Sequence, residues 1–360
     1  MDTKKSKKKI IFLFVSILTI VVILFGSIGI FMYNLSPVDS DSDEFIEFTV
    51  ESGWGSNKIV EELKKAGLIR NDFFAKVLLK LDDKPLYAGT YKLSKDLATN
   101  EILEMISNQE NIENETVTIT FVEGKRLTTY VKQISEVFGF TEEEIMNKLN
   151  NKDYLNTLIE KYWFITADIF KEGIYFPLEG YLYPDTYEFK KNSTLDEILD
   201  KFLINMDEKL KTYKEEIEIG NHTIHEFLTL ASIVELEGVN SADRRGVAGV
   251  FYNRLESGWT LGSDVTTYYA AKKDFSTDLT MSELNSCNPY NTRGKCVEGL
   301  PIGPICSPSL SSIAASIDPL EHSYYYFVAD SSKKTYFNET QSGHDETVRT
   351  LKEEGKWYTY

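Results

Sequence analysis

The chain has 360 residues, with 39 basic and 56 acidic side chains and a net charge of −17. That length predicts two or three domains with a real hydrophobic core, and so acidic a balance excludes nucleic acid as the default partner, because phosphate neutralisation needs a basic surface. Three cysteines exclude a disulfide scaffold, and four histidines without a CxxC or HExxH motif leave little material for a zinc site, so no metal and no cofactor are expected.

The charge is segregated along the chain. Residues 1–9 hold five lysines against one aspartate, so the remainder carries −21 once that +4 is removed from −17. Residues 10–33 follow as an uncharged apolar run from Ile10 to Tyr33. At 1.5 Å per residue it spans about 36 Å, enough for a ~30 Å hydrocarbon core. The lysines before it predict a cytoplasmic tail over 1–9, a single-pass transmembrane helix over 10–33 in the cell membrane, and export of the rest. A cleaved signal peptide is the alternative. Its apolar region is shorter, however, and Phe31-Met32-Tyr33-Asn34 offers no small-residue cleavage site. The polar stretch after it predicts a linker over 34–45.

Beyond the linker, Phe45–Val50 predicts a strand. Gly53 and Gly55 break it, and Ser56 is the candidate N-cap of a helix over 57–66, in which Ile59, Val60 and Leu63 share a face. A helix around 73–81, a strand over 89–93 and a helix over 100–107 complete a small α+β unit, 46–115. Its boundary is expected in the acidic, Asn-rich Gln109–Glu115. A second region, 116–355, opens with a strand over 117–122 and helices over 128–138 and 141–149. It continues through an aromatic, Pro/Gly-rich loop, Tyr175–Asp185, and Tyr324–Phe327 predicts a further strand.

The most apolar helical candidate in this body is Ile224–Leu236. On a helical wheel Ile224, Phe227, Leu228 and Ala231 share a face, and Glu235 follows Ala231 at i+4. A carboxyl on an apolar face is desolvated, which favours its protonated form, the condition for a general acid. The competing role for Glu235 is a structural ion pair with Arg244, Arg245 or Arg254. Glu237 lies about 200° around the helix and is expected to point away, solvated or ion-paired.

From this helix onward the chain resembles a known family. Leu230–Gly238 (LASIVELEG) and Asp243–Asp264 (DRRGVAGVFYNRLESGWTLGSD) look like the endolytic murein transglycosylases, the MltG or YceG-like family. Tyr290-Asn291-Thr292, Gly299–Ile305, Tyr326–Asp330 and, upstream, Leu178–Tyr187 resemble further family segments in the same order. The resemblance implies an α+β fold: a single N-terminal transmembrane helix, a small LysM-like α+β subdomain and a mixed α+β catalytic domain.

The implied activity is cleavage of peptidoglycan glycan strands between N-acetylmuramic acid and N-acetylglucosamine, leaving 1,6-anhydro ends. Termination of glycan elongation and partnership with penicillin-binding synthases are further implications. By position the resemblance puts the catalytic glutamate at Glu235 and substrate contacts at Asn253, Asp264, Tyr268, Tyr290 and Asn291. One carboxyl suffices for that reaction, because the substrate's own C6 hydroxyl replaces water. A muramidase-type hydrolase needs a second acid, for which Asp264 is the candidate. A non-catalytic wall-binding scaffold is the reading from another class.

Several of these residues also have plainer roles: Asn253 packs its helix, Asp264 caps a turn, Arg254 braces through a carboxylate, and His322 makes a structural hydrogen bond. The family's second proline in "GLPPG" is Ile302 here, and its "TDPT" is Asp264-Val265-Thr266-Thr267, so a stiffened turn is absent. Cys287, Cys296 and Cys306 fall in the same loops; Cys287–Cys296 and Cys296–Cys306 are rival pairings, and three free thiols are a third state.

Overall fold

The structure, a computed structural model, describes residues 2–357 apart from 83, 114, 115 and 239. The chain divides into two units, Met1–Glu115 and Thr116–Tyr360. The side chains of the basic tail lie outside the described residues, as do 114 and 115 of the expected boundary stretch.

The first unit opens with α1 (Asp2–Leu35), proline-free and unbroken. Within it Leu13–Leu35 is long and apolar enough to cross a membrane. There follow β1 (Phe45–Val50), α2 (Ser56–Lys65), α3 (Asp72–Asp82), β2 (Gly89–Ser94) and α4 (Thr99–Ile106). Strands β1 and β2 pair antiparallel from Phe45↔Ser94 to Val50↔Gly89, and two helices form the connection between them. Ile59, Val60 and Leu63 of α2 are fully buried with Phe48, Tyr91, Leu93 and Ile102, as their spacing predicts. Ser56 proves to be the first helical residue and Gly55 the cap position, so no side chain caps α2. Within the stretch expected as a linker, Arg70 donates to the carbonyls of Pro37 (2.8 Å) and Val38 (3.0 Å).

In the second unit β3 (Thr116–Thr120) leads to α5 (Leu127–Phe138), α6 (Glu142–Leu149) and α7 (Lys152–Lys161), and then to β4 (Thr186–Lys190), which pairs antiparallel with β3. Thr141 and Glu144 form a reciprocal capping box at the start of α6. Next come α8 (Leu195–Leu210), α9 (Lys214–Ile219), α10 (Ile224–Glu237), α11 (Arg244–Glu256), α12 (Asp264–Ala270), α13 (Met281–Leu284) and α14 (Leu310–Ile317). An antiparallel pair, β5 (Tyr326–Ala329) and β6 (Thr335–Asn338), and α15 (Gln341–Glu353) complete it. The expected strand at 324–327 begins two residues later because Asn253 holds the carbonyl of Tyr324 (2.8 Å).

Two hydrophobic clusters flank α10. One gathers Phe121, Tyr130, Tyr181 and Phe202 with Leu228 and Ala231; the other gathers Val247, Phe251, Val265, Tyr269 and Tyr290 with Leu230, Ile233 and Val234. Every residue of α10 from Ile224 to Glu235 except Glu226 is buried, so this helix is a central strut whose opening near Glu226 lies in its first turn. The Tyr175–Asp185 loop packs tightly against the downstream turn. Gly180 has φ +82°, and a Cβ there would stand 2.5 Å from Pro304 Cβ.

That loop buries Glu179, which accepts from the Leu127 amide (2.7 Å) and the Tyr269 hydroxyl (2.9 Å). Burial outweighs both hydrogen bonds and the nearby Arg126, and pushes its carboxyl up to about 7. An unfolded glutamate ionises near 4.5, so between that pH and about 7 the native state holds the extra proton. Stability therefore falls as pH rises through this window, by roughly 3 kcal/mol for this group. Urea unfolding at a series of pH values should show Glu179→Gln flattening the decline; a variant with the parent's slope would contradict the assignment.

Candidate active site

The two glutamates at the end of α10 have different surroundings. Glu235 points at the N-terminus of α14. Its Oε1 accepts from Arg244 Nη2 (2.7 Å), and its Oε2 accepts from the Ser309 amide (2.8 Å), the Ser309 hydroxyl (2.5 Å) and the Ser312 hydroxyl (2.7 Å). Four donors thus occupy a carboxylate that is 9% exposed. Of the two roles open to Glu235, the ion pair is present in the geometry, with Arg244 as the partner.

Glu237 lines a cleft of about 550 Å³ that combines carboxylates, guanidinium groups and aromatic rings. The expected solvated or ion-paired side chain is instead half-buried and hydrogen-bonded. The 200° separation from Glu235 is real, but α10 is buried from Phe227 to Glu235, and the opposite direction at its end leads into the cleft. Ser263 Oγ donates to Glu237 Oε1 at 2.6 Å. Burial raises the Glu237 carboxyl above the ordinary glutamate range. The Ser263 hydrogen bond opposes the rise, the charge of Asp264 adds to it, and Arg254 and Arg293 oppose it. A half-buried acid whose proton is held above the ordinary glutamate range can donate to a leaving oxygen.

The residues around it come from five separate segments. Asp264, the first residue of α12, pairs with Arg293 (2.6 Å) at the cleft surface. Arg254 donates through Nε to the carbonyl of Tyr325 (2.8 Å) and through Nη1 to that of Leu261, so it braces through backbone carbonyls and not through a carboxylate. Trp259, Tyr268, Phe275 and Tyr326 supply aromatic walls, with Trp259 against Tyr325 (5.1 Å between centroids) and Tyr268 edge-on to Phe275 (5.1 Å). His344 closes one side, stacked on Tyr326 (5.7 Å). A polar floor between aromatic walls suits a ligand with hydroxyls on its edges and C–H groups on its faces.

Of the expected substrate contacts, Asp264 and Tyr268 reach the cleft. Asn253, Tyr290 and Asn291 do not line it, and each has a structural reason. Asn253 Nδ2 is spent on the carbonyls of His322 (2.8 Å) and Tyr324 (2.8 Å). Tyr290 is fully buried among Tyr175 and Tyr269. Asn291, also fully buried, donates to the carbonyls of Glu283, Leu284 and Ser286 and accepts from Thr267 Oγ1 (2.7 Å). The segment still serves the cleft from behind. Thr292 Oγ1 accepts from the Ser263 amide (3.1 Å), which fixes the residue bonded to Glu237. His322 Nε2 meets the Gly246 carbonyl (2.9 Å), a structural bond as expected.

Cys287 and Cys296 are bonded, closing the loop that carries Asn291 and Arg293, and Cys306 is a buried free thiol contacting the Ser232 carbonyl (3.3 Å). Glu237, Trp259, Ser263, Phe275 and Arg293 were not among the expected site residues. For Glu237 a signal was present: Ile224–Leu236 is predominantly apolar, so an acid at its end cannot be assumed to meet water.

The model of the YceG-like family matches residues 48–350. Proteins of Streptococcus pneumoniae (serotype 2) and Bacillus subtilis (strain 168), each named endolytic murein transglycosylase, are 32% identical to the chain over 335 and 323 residues. Each match covers 88% of the chain; it spans 60% of the pneumococcal protein's length and 88% of the Bacillus protein's. The crystal structure of a YceG-like protein from Listeria monocytogenes superposes with a TM-score of 0.60 at 29% identity, covering 85% of this chain and all of that one.

Proposed function

The chain belongs to the YceG-like family, and on that premise we propose that it is a membrane-anchored lytic transglycosylase that cuts peptidoglycan glycan strands, with Glu237 as its general acid and base. The observation that carries this is a single raised carboxyl in an aromatic-walled cleft whose other carboxylate, Asp264, is engaged by Arg293. Protonated Glu237 donates to the glycosidic oxygen as the bond between N-acetylmuramic acid and N-acetylglucosamine breaks through an oxocarbenium-like state. The resulting carboxylate then takes the proton of the C6 hydroxyl as that oxygen closes on C1. The nucleophile belongs to the substrate, so no second free carboxylate is required. Ser263 orients the acid throughout, and the aromatic walls hold the sugar faces.

Leu13–Leu35 anchors the chain in this reading, tail inside and both folded units outside, which limits it to glycan made beside the membrane. The strand–helix–helix–strand order of the first unit supports the LysM-like assignment, and termination of nascent strands beside penicillin-binding synthases is the role that follows. Mass spectrometry of glycan digested by the detergent-solubilised full chain tests the chemistry. 1,6-Anhydromuramyl ends are expected. Reducing ends carrying oxygen from labelled water would instead make the protein a hydrolase with Asp264 as base, and intact glycan that is bound but never cut would make it a scaffold.

A further inference from the structure

Where the apolar helix ends, the first unit does not hang on a tether. Nine residues separate Leu35 from Phe45, enough when extended to stand off by about 30 Å. They are instead held close. Arg70 binds the carbonyls of Pro37 and Val38 and lies over the Tyr33 ring (4.9 Å), and the Asp39 amide donates to Lys95 O (3.0 Å). One turn lower, Phe31 of α1 meets Phe74 of α3 edge-on, with 5.7 Å between ring centroids. Phe74 in turn carries Phe73 against it (5.4 Å), and Phe73 is 64% exposed. Phe31 sits four residues before the end of the apolar span Leu13–Leu35, about 6 Å below its end along the helix axis. A ring that touches Phe31 therefore lies at the level where hydrocarbon gives way to headgroups. An exposed phenylalanine alone needs no explanation. One joined through a second ring to a membrane span, beneath an arginine and a tyrosine, has the composition of a bilayer interface.

We infer that Phe73 and Phe74, at the start of α3, insert into the lipid boundary of the same bilayer that α1 spans, so that the first unit is seated on the membrane surface. This rests on the anchoring part of the proposed function. The occupant is the lipid surface because the patch is continuous with the span through Phe31–Phe74, and Arg70 fixes the chain in that posture. Phe73→Cys tests it by nitroxide labelling of the full chain in phosphatidylcholine nanodiscs. Cys287 and Cys296 are bonded and Cys306 is buried, so the label reaches the new thiol alone. A second variant, Phe25→Cys, carries the label in the middle of the span. Dissolved oxygen is expected to relax both labels more strongly than a water-soluble nickel chelate does. Strong relaxation by nickel at 73 with oxygen dominant at 25 overturns the seating and leaves the anchor intact. Exclusion of both reagents at 73 also overturns it, since the patch is then covered by protein, such as a second copy. Nickel access at 25 overturns the anchor itself.

Discussion

Glu237→Gln should abolish glycan cleavage while leaving the protein folded. The glutamine keeps the shape of the side chain and an oxygen for the Ser263 hydroxyl, 2.6 Å away in the parent, but it has no proton to give to a glycosidic oxygen and no basic site to recover one. A positioned general acid contributes about 10²–10⁴-fold, and here one carboxyl serves both halves of the reaction, so a loss near the upper end, about 10⁴-fold in kcat, is expected. The thermal midpoint should move little, because the residue is half-buried at a cleft and outside either hydrophobic cluster.

The same site fixes the pH dependence. The acid form is the one that starts the reaction, and burial holds the Glu237 pKa above the ordinary value of 4.5. The rate should therefore persist past that pH and fall on the alkaline side as Glu237 ionises. Removing the Ser263 hydroxyl takes away a bond that favours the charged form, so Ser263→Ala should shift the alkaline limb to higher pH. Full activity in Glu237→Gln, measured as anhydro ends released per enzyme, would remove this residue from the chemistry.

How much of this was legible in the sequence differs by level. Local periodicity sufficed for α2, where Ile59, Val60 and Leu63 fall on one buried face, and for α6, expected over 141–149 and found over Glu142–Leu149. The same wheel placed Glu235 correctly on the Ala231 side of α10, yet could not say that α14 brings Ser309 and Ser312 to meet it there. Nor does one helix reveal what lies on its other side. The cleft joins Glu237, Trp259, Asp264, Arg293 and His344 across more than a hundred residues, so only tertiary packing assembles it. Tyr290 and Asn291 illustrate the converse: their motif is recognisable, but complete burial gives it a supporting role behind Ser263.

Glu235→Ala should unfold the second unit far more readily than any change at the cleft. The substitution strands Arg244, whose side chain is 14% exposed, and leaves the Ser309 amide and two serine hydroxyls without their acceptor. Removing one partner of a buried ion pair costs roughly 3–5 kcal/mol, because an uncompensated charge remains. The lost carboxylate also stood at the N-terminus of α14, where a negative charge is favoured by the helix dipole. Arg244→Met alone should be comparably costly. The double variant Glu235→Ala, Arg244→Met should recover part of the loss, since neither charge is then left buried alone. Urea denaturation of the four proteins yields the coupling directly, and simple additivity would mean that the 2.7 Å contact carries no interaction energy. Cleavage assays on Glu235→Gln and Glu237→Gln separate the two glutamates. At temperatures where it remains folded, Glu235→Gln should retain activity, because its work is to hold α14 against α10 and not to move a proton. If Glu235→Gln instead keeps the parent's stability and loses cleavage while Glu237→Gln still cuts, the two roles are exchanged, and the acid is the one that Arg244 holds.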